Sequence, residues 1–206
     1  MRKLLLCCFL SLFTWSSLAA AERPVMVLGD SLSAAYRIAA DSGWVALLAK
    51  RLETGDPPRT VINASISGET TGGGLARLPA LLAKYKPGVV LVELGANDGL
   101  RGLPIDRVHA NLTSILEDCR KADAKIVLIG IELPLNYGAQ YRTALREMYR
   151  DEAHDFNVPL VPFLLAGVAD DPALMQDDGL HPVAAAEPKL LDNVWPALAG
   201  VLGRPQ

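Results

Sequence analysis

The chain has 206 residues, of which 20 are basic and 23 acidic, for a formal charge of −3. No basic block interrupts it, so it lacks the electrostatic footprint of a nucleic-acid-binding protein. Its length admits one domain with a sizeable core.

The first segment reads as an address. Arg2 and Lys3 form a short positive region, residues 4–15 an apolar run, and Ala19-Ala20-Ala21 a small-residue cleavage site. This is the pattern of a secretory signal peptide, too short and wrongly flanked for a stable membrane span. Cleavage is expected after Ala21, with Ala19 the other candidate, which leaves residues 22–206 in the periplasm or outside the cell. Cys7 stands too early for a lipoprotein attachment site. Loss of residues 1–21 removes two basic and no acidic residues, so 185 residues remain with a charge of −5. Cys7 and Cys8 leave with it. Cys119 then has no intrachain partner, and the exported fold cannot depend on a disulfide. It falls in an apolar-periodic stretch, where burial is expected.

Beyond the leader, short β-branched runs alternate with longer amphipathic ones. Strands are expected at residues 25–28, 60–62, 89–94, 126–131 and 160–161. Helices are expected at residues 44–53, 75–83, 105–122, 139–157 and 184–202, the last interrupted by Pro188 and Pro196. Strict alternation argues for a parallel sheet covered on both faces, a three-layer α/β/α domain. In such a sheet ligands bind at the carboxyl edge, so informative residues should follow strands.

Gly29-Asp30-Ser31-Leu32 follows the first strand. A serine at this turn can project its hydroxyl above the sheet edge, with the next backbone N–H facing an oxyanion. The α/β-hydrolase elbow is excluded, because Ser33 stands where that motif needs glycine. Taken alone, Ser31 serves equally well as a turn or helix-capping serine. Gly68, in the loop after the second strand, lets a backbone N–H approach a ligand, though a plain turn glycine explains it as well. After the third strand, Gly95-Ala96-Asn97-Asp98-Gly99 offers an amide that can donate to an oxyanion, or an Asx-turn.

Near the C-terminus stands Asp177-Asp178-Gly179-Leu180-His181-Pro182. A carboxylate three residues before a histidine can place both beside one nucleophile. His181 would take the proton from Ser31, and Asp178 would orient its ring. His109 and His154 fall inside helical patterns and are expected to be solvated.

These four loops together resemble the blocks of the SGNH (GDSL) hydrolase superfamily: Gly29-Asp30-Ser31-Leu32, Gly68, Gly95-x-Asn97-Asp98 and Asp178-x-x-His181. The similarity spans the mature chain in order, and within the superfamily the bacterial periplasmic esterases of thioesterase, protease and lysophospholipase type look nearest. The resemblance implies a flavodoxin-like five-stranded sheet of order 2-1-3-4-5. It also implies a Ser31–His181–Asp178 triad and an oxyanion hole from the Ser31 and Gly68 N–H groups and the Asn97 amide. Two departures stand out. Ala35 replaces a glycine common in relatives, and Gly72-Gly73-Gly74 is expected to loosen the loop behind Gly68.

Two acids on or beside strands remain. Glu93 is expected to be a paired structural acid or a strand-edge residue, and Glu132 to line the cleft. No metal-ligand spacing occurs, and the serine scheme requires no cofactor. Leu100, Leu103, Pro104, Leu133, Pro134 and Tyr137 are expected to wall an apolar groove for a small acyl ester or thioester, although these leucines would equally pack the core. A monomer is expected. The leading expectation is an exported esterase of fatty-acid esters and thioesters. A carbohydrate acetylesterase, or a silent binding domain on the same fold, are the rivals.

Overall fold

The computed structural model describes residues 22–203; the expected leader and its cleavage site lie outside the described residues. Five strands, β1 (Val25–Gly29), β2 (Val61–Asn63), β3 (Val89–Glu93), β4 (Lys125–Ile129) and β5 (Leu160–Val161), form one sheet in the order β2-β1-β3-β4-β5. All pairings are parallel, with Val25 opposite both Val61 and Val89, and Gly29 opposite Glu93. The central strands are apolar at nearly every position because both faces are covered. This is the architecture and strand order expected from the sequence.

Among the described residues six α-helices flank the sheet: α1 (Trp44–Glu53), α2 (Thr71–Tyr85), α3 (Ala96–Leu100), α4 (Ile105–Lys121), α5 (Ala139–Asp155) and α6 (Glu187–Leu202). α1 packs with α6, while α2, α4 and α5 form the other layer. Cys119 is fully buried in α4, and burial pushes its thiol up to about 12.

The element boundaries show where local chemistry departs from periodicity. Helix α2 starts four residues before the apolar pattern does, because Thr70 caps it by accepting from the Gly73 N–H at 3.2 Å. The run Gly72-Gly73-Gly74 therefore lies in a helical turn and does not loosen a loop. Gly74 also serves packing, since a Cβ there would fall 2.4 Å from Leu94 Cδ1. Helix α6 starts after a 3₁₀ turn at Ala184–Ala186, and Pro188 sits in its first turn, where a missing N–H costs nothing. Only Pro196 is interior. His109 is no free surface histidine: its Nε2 lies 3.0 Å from Oε1 of the buried Glu152, joining α4 to α5. His154 is exposed, beside Asp155.

One acid links the other helix pair. Glu187, only 1% exposed, accepts the Trp44 N–H at 2.7 Å, so it bridges the first turns of α1 and α6. Burial pushes its carboxyl up from 4.5 to about 7, and the Trp44 hydrogen bond only partly opposes this. A raised folded pKa means that the native state holds the proton more tightly than the unfolded chain. Its contribution is thus fully present below the ordinary value and is lost as pH rises through about 7. Glu187→Gln keeps an acceptor for Trp44 and has no charge to bury. Urea unfolding at about pH 5 and about pH 8 should show the wild type losing stability relative to this variant on the alkaline side. Parallel pH slopes would show that the carboxyl titrates normally.

Candidate active site

The carboxyl ends of β1 and β3 meet at a buried pair of acids. Glu93 Oε2 accepts the Asp30 N–H at 3.1 Å and the Ser33 hydroxyl at 2.8 Å. Asp30, also without exposure, accepts the Leu32 N–H on Oδ1 at 3.0 Å and the Asn97 amide on Oδ2 at 2.9 Å. Burial raises both carboxyls. Asp30 reaches about 6, held back by Leu32, His181 and Asn97. Glu93 goes well above the carboxylate range through burial and the neighbouring Asp30. Burial and the neighbouring acid thus both favour the protonated form of Glu93, whereas the hydrogen bonds from Leu32 and Asn97 favour the anion of Asp30.

This geometry orients the amide of Asn97. One Nδ2 hydrogen is committed to Asp30, which leaves the second for the cleft. The acceptor also fixes which way the amide lies, since a flipped amide would set its oxygen against a carboxylate.

Asn97 lies on helix α3, where the sequence pattern predicts a loop. The helix forms because β3 stops: Gly95 has φ +124°, and a Cβ there would fall 2.2 Å from Tyr149 Oη. Tyr149 in turn donates to the Leu94 carbonyl at 2.7 Å. On the other side, Asp98 accepts the Thr71 N–H at 2.8 Å and the Thr71 hydroxyl at 2.6 Å. Asn111 donates to the same hydroxyl at 3.0 Å. The Asn97 turn is thereby fastened to the start of α2 and so to the Gly68 loop. Gly68 has φ +82°, and Arg101 donates to its carbonyl at 3.0 Å.

Ser31 lies on the turn after β1. Its Oγ is 2.8 Å from His181 Nε2, and His181 Nδ1 is 2.8 Å from Asp178 Oδ2. The other oxygen of Asp178 accepts the Leu180 N–H at 2.9 Å and the His181 N–H at 3.0 Å, through a turn that Gly179 makes at φ +65°. Burial works against the Asp178 charge, but the Leu180 N–H and the His181 ring and N–H outweigh it, holding the carboxyl at about 2. The ionised acid selects the tautomer with hydrogen on Nδ1, so Nε2 accepts from the serine. Tyr36 packs on the imidazole with ring centroids 4.3 Å apart.

A cleft of about 340 Å³ opens over these groups, lined by Ser31, Gly68, Asn97 and His181. Its apolar wall comes from Leu32, Ala96, Leu100, Ile131, Leu133, Pro134, Leu165 and Leu180. Three residues expected in that wall are not there. Tyr137 turns its hydroxyl to the Leu100 carbonyl at 3.4 Å, the Leu103 carbonyl accepts from Tyr141 as its side chain packs on the core, and Pro104 caps α4. Tyr36, Ile131, Leu165 and Leu180 were not anticipated as lining residues, for no periodic pattern marks them. Glu132 does border the cleft, engaged by Arg146 at 3.0 and 2.9 Å and lowered chiefly by it. Among the described residues no cluster of three or more histidine, cysteine or acidic side chains is placed to hold a metal ion.

A hydroxyl, an imidazole and a carboxylate in file, beside an amide donor at the carboxyl edge of a parallel sheet, have the chemistry of an acyl-transferring hydrolase. Comparison with known proteins agrees. Residues 27–187 match the GDSL-like lipase/acylhydrolase family. The chain is 49% identical to esterase TesA of Pseudomonas aeruginosa, over 98% of this chain and all of that one. It is 47% identical to thioesterase 1/protease 1/lysophospholipase L1 of Escherichia coli, over 89% of this chain and 86% of the relative. The crystal structure of the psychrotrophic esterase EstA from Pseudoalteromonas, inhibited by monoethylphosphonate, superposes with a TM-score of 0.84 at 40% identity. That match covers 89% of this chain and all of the other. The chain belongs to the GDSL-like lipase/acylhydrolase family and is an esterase.

The anchoring of α3 can be tested apart from chemistry. Asp98→Ala removes both acceptors of Thr71 and leaves a buried N–H and hydroxyl short of partners. It should lower unfolding free energy by about 3 kcal/mol. Denaturant midpoints of Asp98→Ala and the conservative Thr71→Ser decide it, and equal, small losses in both would contradict the anchoring role.

Proposed function

We propose that the chain is an exported, monomeric serine esterase of fatty-acid esters and thioesters, with aryl esters and lysophospholipids among its substrates. Ser31 is the nucleophile, His181 the general base and acid, and Asp178 the orienting carboxylate. The oxyanion hole consists of the Ser31 and Gly68 N–H groups and the Asn97 amide. The observation that carries this reading is the unbroken Ser31–His181–Asp178 file, with both contacts at 2.8 Å, beside a fixed amide donor. The N-terminal pattern supports export. Sparse exposed large apolar residues, Ile66 and Leu135 among the described ones, support a monomer. The names of the relatives support the ester, thioester and lysophospholipid classes.

In the first half-reaction Ser31 Oγ attacks the acyl carbon as its proton passes to His181 Nε2. The carbonyl oxygen becomes an anion facing the three donors. Collapse breaks the bond to the leaving group, which takes the proton from His181 and departs as an alcohol or thiol. Water then attacks the acyl-Ser31 carbonyl, giving its proton to Nε2. Collapse of this second intermediate returns that proton to Ser31 Oγ and releases the acid.

Two measurements test the proposal. Ser31→Ala and His181→Ala should each lower kcat by on the order of 10⁴-fold with the fold intact, because the members act as a unit. A folded Ser31→Ala protein within tenfold of wild type would remove the mechanism.

The second concerns the acyl part. The leucine-rich wall of the cleft gains up to about 0.8 kcal/mol per buried methylene, roughly fourfold in kcat/KM for each carbon until the groove is full. kcat/KM should therefore climb from p-nitrophenyl acetate through butyrate and hexanoate to octanoate, measured below micelle-forming concentrations. A steady fall from acetate upward would favour a carbohydrate acetylesterase instead.

A further inference from the structure

The nucleophile and the base reach the site on segments far apart in sequence. Ser31 rides on the turn after β1, and His181 on the loop before α6. Between residues 30–43 and residues 175–183, the described residues hold two hydrogen bonds. One is the Ser31–His181 contact itself. The other runs from Gln176 Nε2 to the Tyr36 carbonyl at 2.9 Å.

Gln176 is engaged through its side-chain amide nitrogen and through both of its backbone groups. Its second amide hydrogen goes to the Pro182 carbonyl at 2.8 Å, and its backbone N–H to the His181 carbonyl at 2.8 Å. Its own carbonyl accepts the Gly179 N–H at 2.9 Å. The one side chain therefore closes the loop that carries Asp178 and His181 and ties it to the nucleophile segment. That segment needs outside support. Tyr36 is flanked by Ala35 and Arg37, both at φ +56°, a left-handed conformation that is strained for a non-glycine residue. Tyr36 also carries the ring that packs on His181.

We propose that Gln176 is a positioning residue that sets the Ser31–His181 contact by holding the Tyr36 and Pro182 carbonyls with one amide group. The inference rests on the reading of Ser31 and His181 as nucleophile and base. Glutamine suits the task because its amide offers two coplanar N–H donors and no charge. Asparagine is one methylene too short to span both carbonyls, and leucine fills the space without donating.

The test compares Gln176→Leu and Gln176→Asn with wild type and with Ser31→Ala. Steady-state kinetics on a p-nitrophenyl ester is normalised to folded protein, and the rate of labelling by a fluorophosphonate is measured alongside. For Gln176→Leu, kcat and the labelling rate should both fall about ten- to a hundredfold, as expected for a reacting pair displaced by an ångström or less. KM should stay within about twofold, because the acyl wall is untouched. Gln176→Asn should fall between Leu and wild type, and it carries the test if the leucine variant does not fold. A purely structural role would lower the melting temperature while leaving kcat per folded molecule unchanged, and that result would overturn the proposal. An active Ser31→Ala protein would instead overturn the triad reading, so the two failures are separable.

Discussion

Two carboxyl groups share the space beneath the carboxyl ends of β1 and β3, and the site is built outward from them. Gly29 lies in register with Glu93, and a Cβ on Gly29 would fall 2.7 Å from Glu93 Oε2 and 2.9 Å from Ser33 Cβ. Only glycine lets the turn close over the acid at that point. Once it has closed, Glu93 satisfies the Asp30 N–H and the Ser33 hydroxyl, and Asp30 satisfies the Leu32 N–H and the Asn97 amide. Taking two acids out of water is costly, and the cost appears as the upward displacement of both carboxyls. What it secures is geometry. The turn of Ser31 and the helix of Asn97 are joined to one another through acids that are closed to solvent.

The other half of the site is built differently. Asp178 and His181 sit on a surface loop, and the hydrogen bonds that shape it come from its own N–H groups and from Gln176. Local stability scales with buried apolar contact, so the Asn97 side, anchored on the buried acids, resists local opening more than the loop of His181. The division suits the chemistry. In the proposed mechanism the donors face charge that appears in one place and need no adjustment, whereas the imidazole must face the serine, the leaving group and water in turn.

This division also explains what could be read from sequence. The strand order followed from a resemblance carried by four loops, and each loop stands at a strand end because that is where parallel sheets present their residues. Asp178 and His181 were legible because the motif spans only four positions. Asp30 and Asp98 stood in recognised blocks, yet their roles in holding Asn97 and Thr71 depend on contacts between distant segments, which periodicity does not encode. The same holds for the cleft wall. Leu133 and Pro134 were found because they follow a strand, whereas Leu165 and Leu180 arrive by tertiary packing and carry no local signal. Tyr137 and Leu103 were misplaced for the converse reason. They stand on the right loops, but a hydroxyl and a carbonyl in need of partners turned those loops toward the core. The helix at Gly72-Gly73-Gly74 is a similar case: propensity argued against it, and a threonine cap with a tight approach to Leu94 decided the matter.

The low value of Asp178, about 2, bears on what a carboxylate beside an imidazole can do. An acid held that far below its ordinary range is a poor proton acceptor, so a proton arriving on the ring stays there while the carboxylate acts as a fixed countercharge. The depression comes from hydrogen bonds supplied within residues 178–181, not from a distant arginine or lysine. The charge and the ring are therefore positioned relative to each other by local contacts. What such a unit cannot set for itself is its distance from the serine, some 150 residues away in sequence. That distance must be imposed from outside the unit, and the contacts placed to do so are the packing of Tyr36 on the ring and the Gln176 hydrogen bond to the Tyr36 carbonyl.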